Sequence, residues 1–169
     1  MTDRVISGNK NGISAARIEQ IKEIYDIQLP RDQFATRELL ELMARHSSAL
    51  NREISVLIAR NGNVENVSIG HFDRVSMPEI NKKRSTDRLC GVRCIHTHPK
   101  GSGMLSNVDL GTLKEMRMDS MAAVAVRDGQ PGEMYAAYLT GDDDPEFSVI
   151  GPVSPGQAGE PALMNAVYE

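Results

Sequence analysis

The densest run of reactive side chains lies between Val92 and Leu113, in the string V-R-C-I-H-T-H-P-K-G-S-G-M-L-S-N-V-D-L-G-T-L. Two of the chain's four histidines, His96 and His98, stand there two residues apart, and Asp109 follows after a proline and a glycine-rich stretch. Alternate residues of a strand point to one side, so a strand ending in His-Thr-His offers both imidazoles to one spot. Pro99 stops that strand, and Gly101 and Gly103 permit a sharp return of the chain. Ser106 suits the N-cap of a helix whose apolar positions Leu110, Leu113 and Met116 recur at helical spacing. Asp109 then sits in the first turn, where Ser106-Asn107-Val108-Asp109 fits a capping box loosely, Asp being shorter than the usual Glu or Gln. A loop that folds back brings two nitrogens and one carboxylate oxygen together. That three-ligand set suits a catalytic zinc, which keeps a fourth position open for water, and such a water ionises near neutrality and becomes a nucleophile. The bland reading of the same residues is a pair of strand-end histidines and a helix-capping acid.

The elements that must position these groups read as follows. Ser14 caps an amphipathic helix marked by Ile18, Ile21, Ile24 and Tyr25, ending near Pro30. A second helix is expected over 36–50, with Leu39, Leu40, Met43 and His46 inward, His46 as a packing residue and not a ligand. The segment Glu53-Ile54-Ser55-Val56-Leu57-Ile58-Ala59 starts a sheet, and Asn61-Gly62 predicts a type I′ hairpin leading to a strand over 64–69. Ile54, Val56 and Ile58 face one way and Leu57 and Ala59 the other, which suits a sheet covered on both faces. Beyond the ligand strand and the 106–118 helix, residues 121–126 read as a buried strand. Asp128-Gly129 with Pro131-Gly132 supplies a turn, and residues 134–139 and 146–150 read as the last two strands. Residues 1–12 read as a polar N-terminal arm, 13–151 as a single metal-binding domain, and 152–169, rich in Gly, Pro and Ser, as a linker-like tail. The fold class is α/β, a mixed β-sheet flanked by helices.

The string His-x-His-Pro, six residues, Ser106, two residues, Asp109 resembles the signature of the JAMM metalloproteases, also called JAB or MPN-plus. The resemblance implies a three-layer arrangement like that of JAMM and cytidine-deaminase domains, with zinc held by His96, His98 and Asp109, and with Ser106 helping to hold the substrate oxyanion. It also implies a glutamate general base from an earlier strand, and Glu53 occupies that relative place. The expected substrate is a peptide or protein. Asn51-Arg52-Glu53-Ile54, Pro30-Arg31-Asp32-Gln33 and the run from Arg88 through Asp109 further resemble the extra N-terminal region of some bacterial HflX-type GTPases, over most of residues 8–151. RadC-type proteins are similar more distantly, through the same His-His-Ser-Asp string. One departure from the family is the segment 71–89, short and polar where related metalloproteases carry a fuller helix.

At 169 residues, 40% of them hydrophobic, the chain can build one core and hardly two. A net charge of -4 gives no global pull toward nucleic acid or membrane. Its two cysteines, Cys90 and Cys94, lack the paired knuckles of a structural zinc site, and Met116, Met118 and Met121 read as core filler. With no signal pattern and no apolar run of spanning length, the expected location is cytoplasmic. No G-x-x-x-x-G-K-[ST] occurs, so GTP is not bound in the P-loop manner. H-E-x-x-H and the zinc-deaminase pattern are missing too, and Ser106 sits in no nucleophile elbow that would make it part of a Ser-His-Asp triad. The alternative to an enzyme is a non-catalytic module of a larger ribosome-associated GTPase. It is suggested by the linker-like tail and by the short, polar 71–89 segment that leaves the substrate groove contracted, and it would contact the ribosome or a partner protein through the Lys82-Lys83-Arg84 side.

Overall fold

A computed structural model describes residues 4–70, 91–140 and 146–168. Among these, seven strands form one mixed sheet in the order β1-β3-β2-β4-β5-β6-β7: β1 Ile6–Gly8, β2 Ile54–Ala59, β3 Val64–Ile69, β4 Val92–His98, β5 Ser120–Arg127, β6 Gln130–Thr140 and β7 Glu146–Val153. Four α-helices flank it: α1 Ala15–Ile21, α2 Arg37–Leu50, α3 Asn107–Met116 and α4 Pro161–Tyr168. The α/β expectation, with helices on both sides of a mixed sheet, holds. His71, Cys90, Lys82-Lys83-Arg84 and the acidic Asp142-Asp143-Asp144-Pro145 lie outside the described residues.

The period of two divides the sheet into its faces. Ile54, Val56 and Ile58 of β2 pack into the larger core with Phe34, Leu39, Leu40 and Met43. Leu57 points the other way, into a smaller cluster with Cys94, Leu113, Met116 and Met121 under α3. Every residue of β2 is buried, the mark of a strand covered twice.

Helix boundaries follow capping chemistry. Ser14 and Thr36 accept backbone N–H bonds from Arg17 and Leu39, which starts α1 and α2 where the sequence predicts. After α1 the expected longer helix tightens into a 3-10 turn over Lys22–Asp26. Asn51, in the left-handed region at φ 52°, ends α2.

Turns refine two expectations. Gly62 N–H donates to the Ala59 carbonyl at 2.9 Å, and Gly62 has φ 92° whereas Asn61 is not among the positive-φ residues. The β2–β3 connection is therefore a type I turn closed by a glycine bulge, not type I′. The I′ pattern occurs instead between β5 and β6, where Asp128 and Gly129 have φ 53° and 75°. Pro131-Gly132 belongs to β6 itself.

Both terminal expectations are corrected. The predicted arm contributes β1, paired parallel to β3 with Ile6 buried in the main core. Gly8 permits that approach: at φ +88°, a Cβ there would lie 2.1 Å from the Ile69 carbonyl oxygen. The predicted linker is folded as well. β7 runs on to Val153, a 3-10 turn covers Gln157–Gly159, and α4 begins at Pro161, whose fixed φ suits a first helical turn. Ala158, Leu163 and Val167 bury against the main core, and Ala35 N–H donates to Ala158 O. A stretch of linker composition is thus part of the domain, which removes one of the two supports for the interaction-module reading. No helix among the described residues is long and apolar enough to cross a membrane.

Candidate metal centre

β4 alternates as its sequence requires. Cys94, His96 and His98 share the α3 side, while Arg93, Ile95 and Thr97 face α2. Pro99 ends the strand, and the chain returns so that α3 begins beside the sheet. Ser106 and Asp109 form a full capping box: Ser106 Oγ accepts from Asp109 N–H at 3.1 Å, and Asp109 Oδ2 accepts from Ser106 N–H at 2.9 Å. Holding its own N-cap turns the Asp109 carboxylate back toward β4.

The three expected ligands meet there. His96 Nε2 lies 3.1 Å from His98 Nε2 and 3.2 Å from Asp109 Oδ1, and His98 Nε2 lies 3.7 Å from Asp109 Oδ2. All three ligand atoms fall within 4.8 Å of one another. Tetrahedral ligands about 2.0–2.1 Å from a zinc ion would be roughly 3.3 Å apart, so the observed edges match a cation's cage in size. The ring orientation of His98 matches as well: its Nδ1–H donates to the Ser102 carbonyl at 2.9 Å, which turns Nε2 toward the triad as the nitrogen that would ligate.

Electrostatics agree with a site built for positive charge. Burial alone would raise the Asp109 carboxyl, but hydrogen bonds from His96 and His98 outweigh it and hold that carboxyl far below the ordinary range. The Asp109 hydrogen bond leads in raising His98, with smaller help from Ser102 and the Glu53 charge. Cys94 differs: burial first, then the Asp109 and Glu53 charges, push its thiol far up. It is therefore a neutral, buried group beside the cage, in keeping with the sequence reading of a small hydrophobe.

Glu53 precedes β2 by one residue. Ser55 pairs with His96 in the antiparallel β2–β4 register, and continuing that register brings Glu53 opposite His98, on the same face by alternation. Glu53 and His98 line one groove. Ser106 is exposed at the α3 N-cap, next to Asp109 in the capping box. His46 is buried and bonded through Nε2 to Glu23 Oε1 at 2.8 Å, away from the cage.

A buried relay that the sequence reading passed over fixes the Glu53 end of β2. Ile54 N–H donates to Thr97 Oγ1 at 2.9 Å, the Thr97 hydroxyl donates to Ser47 Oγ at 2.7 Å, and the Ser47 hydroxyl donates to Arg52 O at 2.6 Å. It joins the end of α2, the entrance of β2 and the residue between the two histidines. The only sequence signal was a Thr flanked by two candidate ligands. Arg93 was also missed: fully buried, its Nε and Nη2 donate to the carbonyls of Phe34 and Gln33, and its guanidinium stacks over the Phe34 ring.

Fold and site together define an α/β protein with a three-ligand candidate metal centre at the end of a central strand. No protein-family model matches the chain, and no curated protein does. Among solved structures, the solution structure of a protein from Salinibacter ruber is 18% identical. It covers 73% of this chain and 92% of its own with a TM-score of 0.37, a likeness too slight to carry an argument.

Proposed function

We propose that the chain is a zinc-dependent peptidase or isopeptidase of the JAMM kind. The observation that carries this reading is the convergence of His96 Nε2, His98 Nε2 and an Asp109 oxygen at close to tetrahedral spacing, with Glu53 lining the groove beside His98. Two imidazoles and one carboxylate form the donor set of an open catalytic zinc site, and the ring orientation of His98 fits it. A zinc ion held there would supply a water acidified to near-neutral pKa and polarise the substrate carbonyl.

The chain's own residues account for the remaining steps. Glu53 accepts the proton of the attacking water and returns it to the leaving amine. The Ser106 oxygen already accepts from Asp109 N–H, so its hydroxyl proton is left to donate toward the carbonyl oxygen as negative charge develops. Asp109, capped and buried, stays ionised and keeps both histidines oriented. The thiol of Cys94 takes no part.

The test joins metal analysis with hydrolysis. Purified untagged protein should hold about one zinc per chain, and a panel of peptides and isopeptide-linked conjugates should yield cleavage that chelation abolishes. Glu53→Gln should keep its zinc and lose cleavage by about 100-fold or more, the scale of general-base catalysis. A Glu53→Gln protein that cleaves as fast as the parent, or a parent that takes up no zinc, would overturn the reading.

A further inference from the structure

Glu53 stands between two peptide groups that are both held from outside β2. The group before it contributes the Arg52 carbonyl, which accepts the Ser47 hydroxyl at 2.6 Å. The group after it contributes the Ile54 N–H, which donates to Thr97 Oγ1 at 2.9 Å, and the Glu53 carbonyl, which accepts from Gly70 N–H at 2.7 Å. The two hydroxyls are themselves joined, Thr97 donating to Ser47 Oγ at 2.7 Å. Ser47 also holds the other polar backbone group of Arg52, because its carbonyl accepts the Arg52 N–H at 3.2 Å. A residue has only two soft backbone angles, so fixing the peptide planes on either side of it fixes both. The direction of the Glu53 Cα–Cβ bond is thereby set, and only the side-chain torsions stay free.

These bonds begin where the ordinary ladder stops. The register of β2 with β4 runs from Ala59–Val92 to Ser55–His96, so Ile54 is the first residue past it, and the Thr97 hydroxyl serves in place of a ladder carbonyl. Ser47 and Thr97 are fully buried, so a bond lost there is not replaced by one to bulk water. Thr97 is also the residue between His96 and His98, whose side chains leave the opposite face of β4. One short stretch of β4 therefore carries two candidate ligands on one face and, on the other, the hydroxyl that holds the entrance of β2. Glu53 and His98 line one groove.

Resting on the peptidase reading above, we infer that Ser47 and Thr97 are positioning residues for Glu53. Their linked hydroxyls hold the backbone of the base in a set place relative to the strand that carries His96 and His98, so that its carboxylate reaches the metal centre without reorganisation. Each acts through Glu53 and not on the substrate. The effect is large for so small a group, because a misplacement of about 1 Å in a catalytic side chain lowers a rate about 100-fold.

The experiment reads the place of the carboxylate by equilibrium binding, apart from turnover. Acetohydroxamic acid chelates a divalent cation through its two oxygens and gives its hydroxyl proton to a carboxylate beside the metal, so its affinity reports where that carboxylate stands. Cobalt(II) in place of zinc makes the titration visible in its d–d absorption. Glu53→Gln should weaken acetohydroxamate about 30-fold, Thr97→Val and Ser47→Ala each about tenfold, and Thr97→Ser, which keeps the hydroxyl, less than about threefold. In the Glu53→Gln background, Thr97→Val and Ser47→Ala should weaken it no further, the non-additivity of residues that act through one another. Every variant should still take up cobalt; Ser47→Ala, which keeps the Thr97–Ile54 bond, carries the test should Thr97→Val misfold. Parent-like affinity in Thr97→Val and Ser47→Ala, or an equal loss with and without the Glu53 carboxylate, would overturn the inference and leave the relay a purely structural one. Failure of the peptidase reading is distinct and takes the inference with it: Glu53→Gln would bind acetohydroxamate as tightly as the parent, or the parent would take up no cobalt.

Discussion

Thr97→Val tests whether the relay through Ser47 builds the site's geometry. Valine keeps the volume and the β-branch of threonine, so packing against α2 is nearly unchanged, and only the hydroxyl is lost. That hydroxyl accepts from Ile54 N–H at 2.9 Å and donates to Ser47 Oγ at 2.7 Å, and Thr97, Ile54 and Ser47 are all fully buried. The orphaned Ile54 N–H costs about 1–3 kcal/mol and the bond lost by Ser47 about 1 kcal/mol, offset by about 1 kcal/mol for the added apolar methyl, for a net loss of about 1–3 kcal/mol. At about 2–4 °C per kcal/mol for a chain of this size, the melting temperature should fall by about 2–12 °C. Thr97→Ser keeps the hydroxyl and loses one methyl, so it should cost only about 1 kcal/mol. Both variants would be compared by urea unfolding and thermal scans of the metal-free protein, so that zinc linkage does not enter. A Thr97→Val protein as stable as Thr97→Ser, or more so, would show that the relay stabilises nothing and refute the reasoning.

Two further outcomes follow from the same accounting. Val167→Asp on α4 puts a charge into a buried position of the main core and should cost about 2–4 kcal/mol in urea unfolding; a loss below 0.5 kcal/mol would mean that residues 161–168 contribute no packing. The Arg127 guanidinium, hydrogen-bonded to Glu133, holds that carboxyl down to about 2, below its ordinary 4.5. A carboxyl depressed in the folded state adds stability above its unfolded value that is lost as pH falls through the folded one. Between pH 4.5 and about 2 the parent should therefore lose this contribution, and Arg127→Gln, lacking it throughout, should show a shallower acid limb. The pair is exposed, so the difference should be small; identical urea midpoints for the two proteins relative to their own values at neutral pH would contradict it.

The site was legible in the sequence because its parts are local. His-x-His on a strand shares a face by the period of two alone, and Ser106 with Asp109 forms a capping box from a spacing of three. Helix starts at Ser14 and Thr36 were equally local, each set by one side-chain oxygen and one N–H. The termini were not legible. Val5-Ile6 is a short apolar pair in a polar stretch, and Ile6 becomes a core residue only because β3 supplies a parallel edge with room for Gly8 against the Ile69 carbonyl. Leu163 and Val167 follow a segment of linker composition, and they fold because the sheet offers them apolar surface that no local pattern could announce.

What the sequence by itself determined is the identity of the candidate ligands and an alternation that makes the sheet two-sided. These depend on donor chemistry and on periods along a single chain. Tertiary structure alone decided that the donors stand 3.1–3.7 Å apart and that Glu53 and His98 line one groove. It also decided that a hydroxyl relay from α2 fixes the entrance of β2. Each of these joins residues tens of positions apart, and such distances are set by how strands register and helices pack.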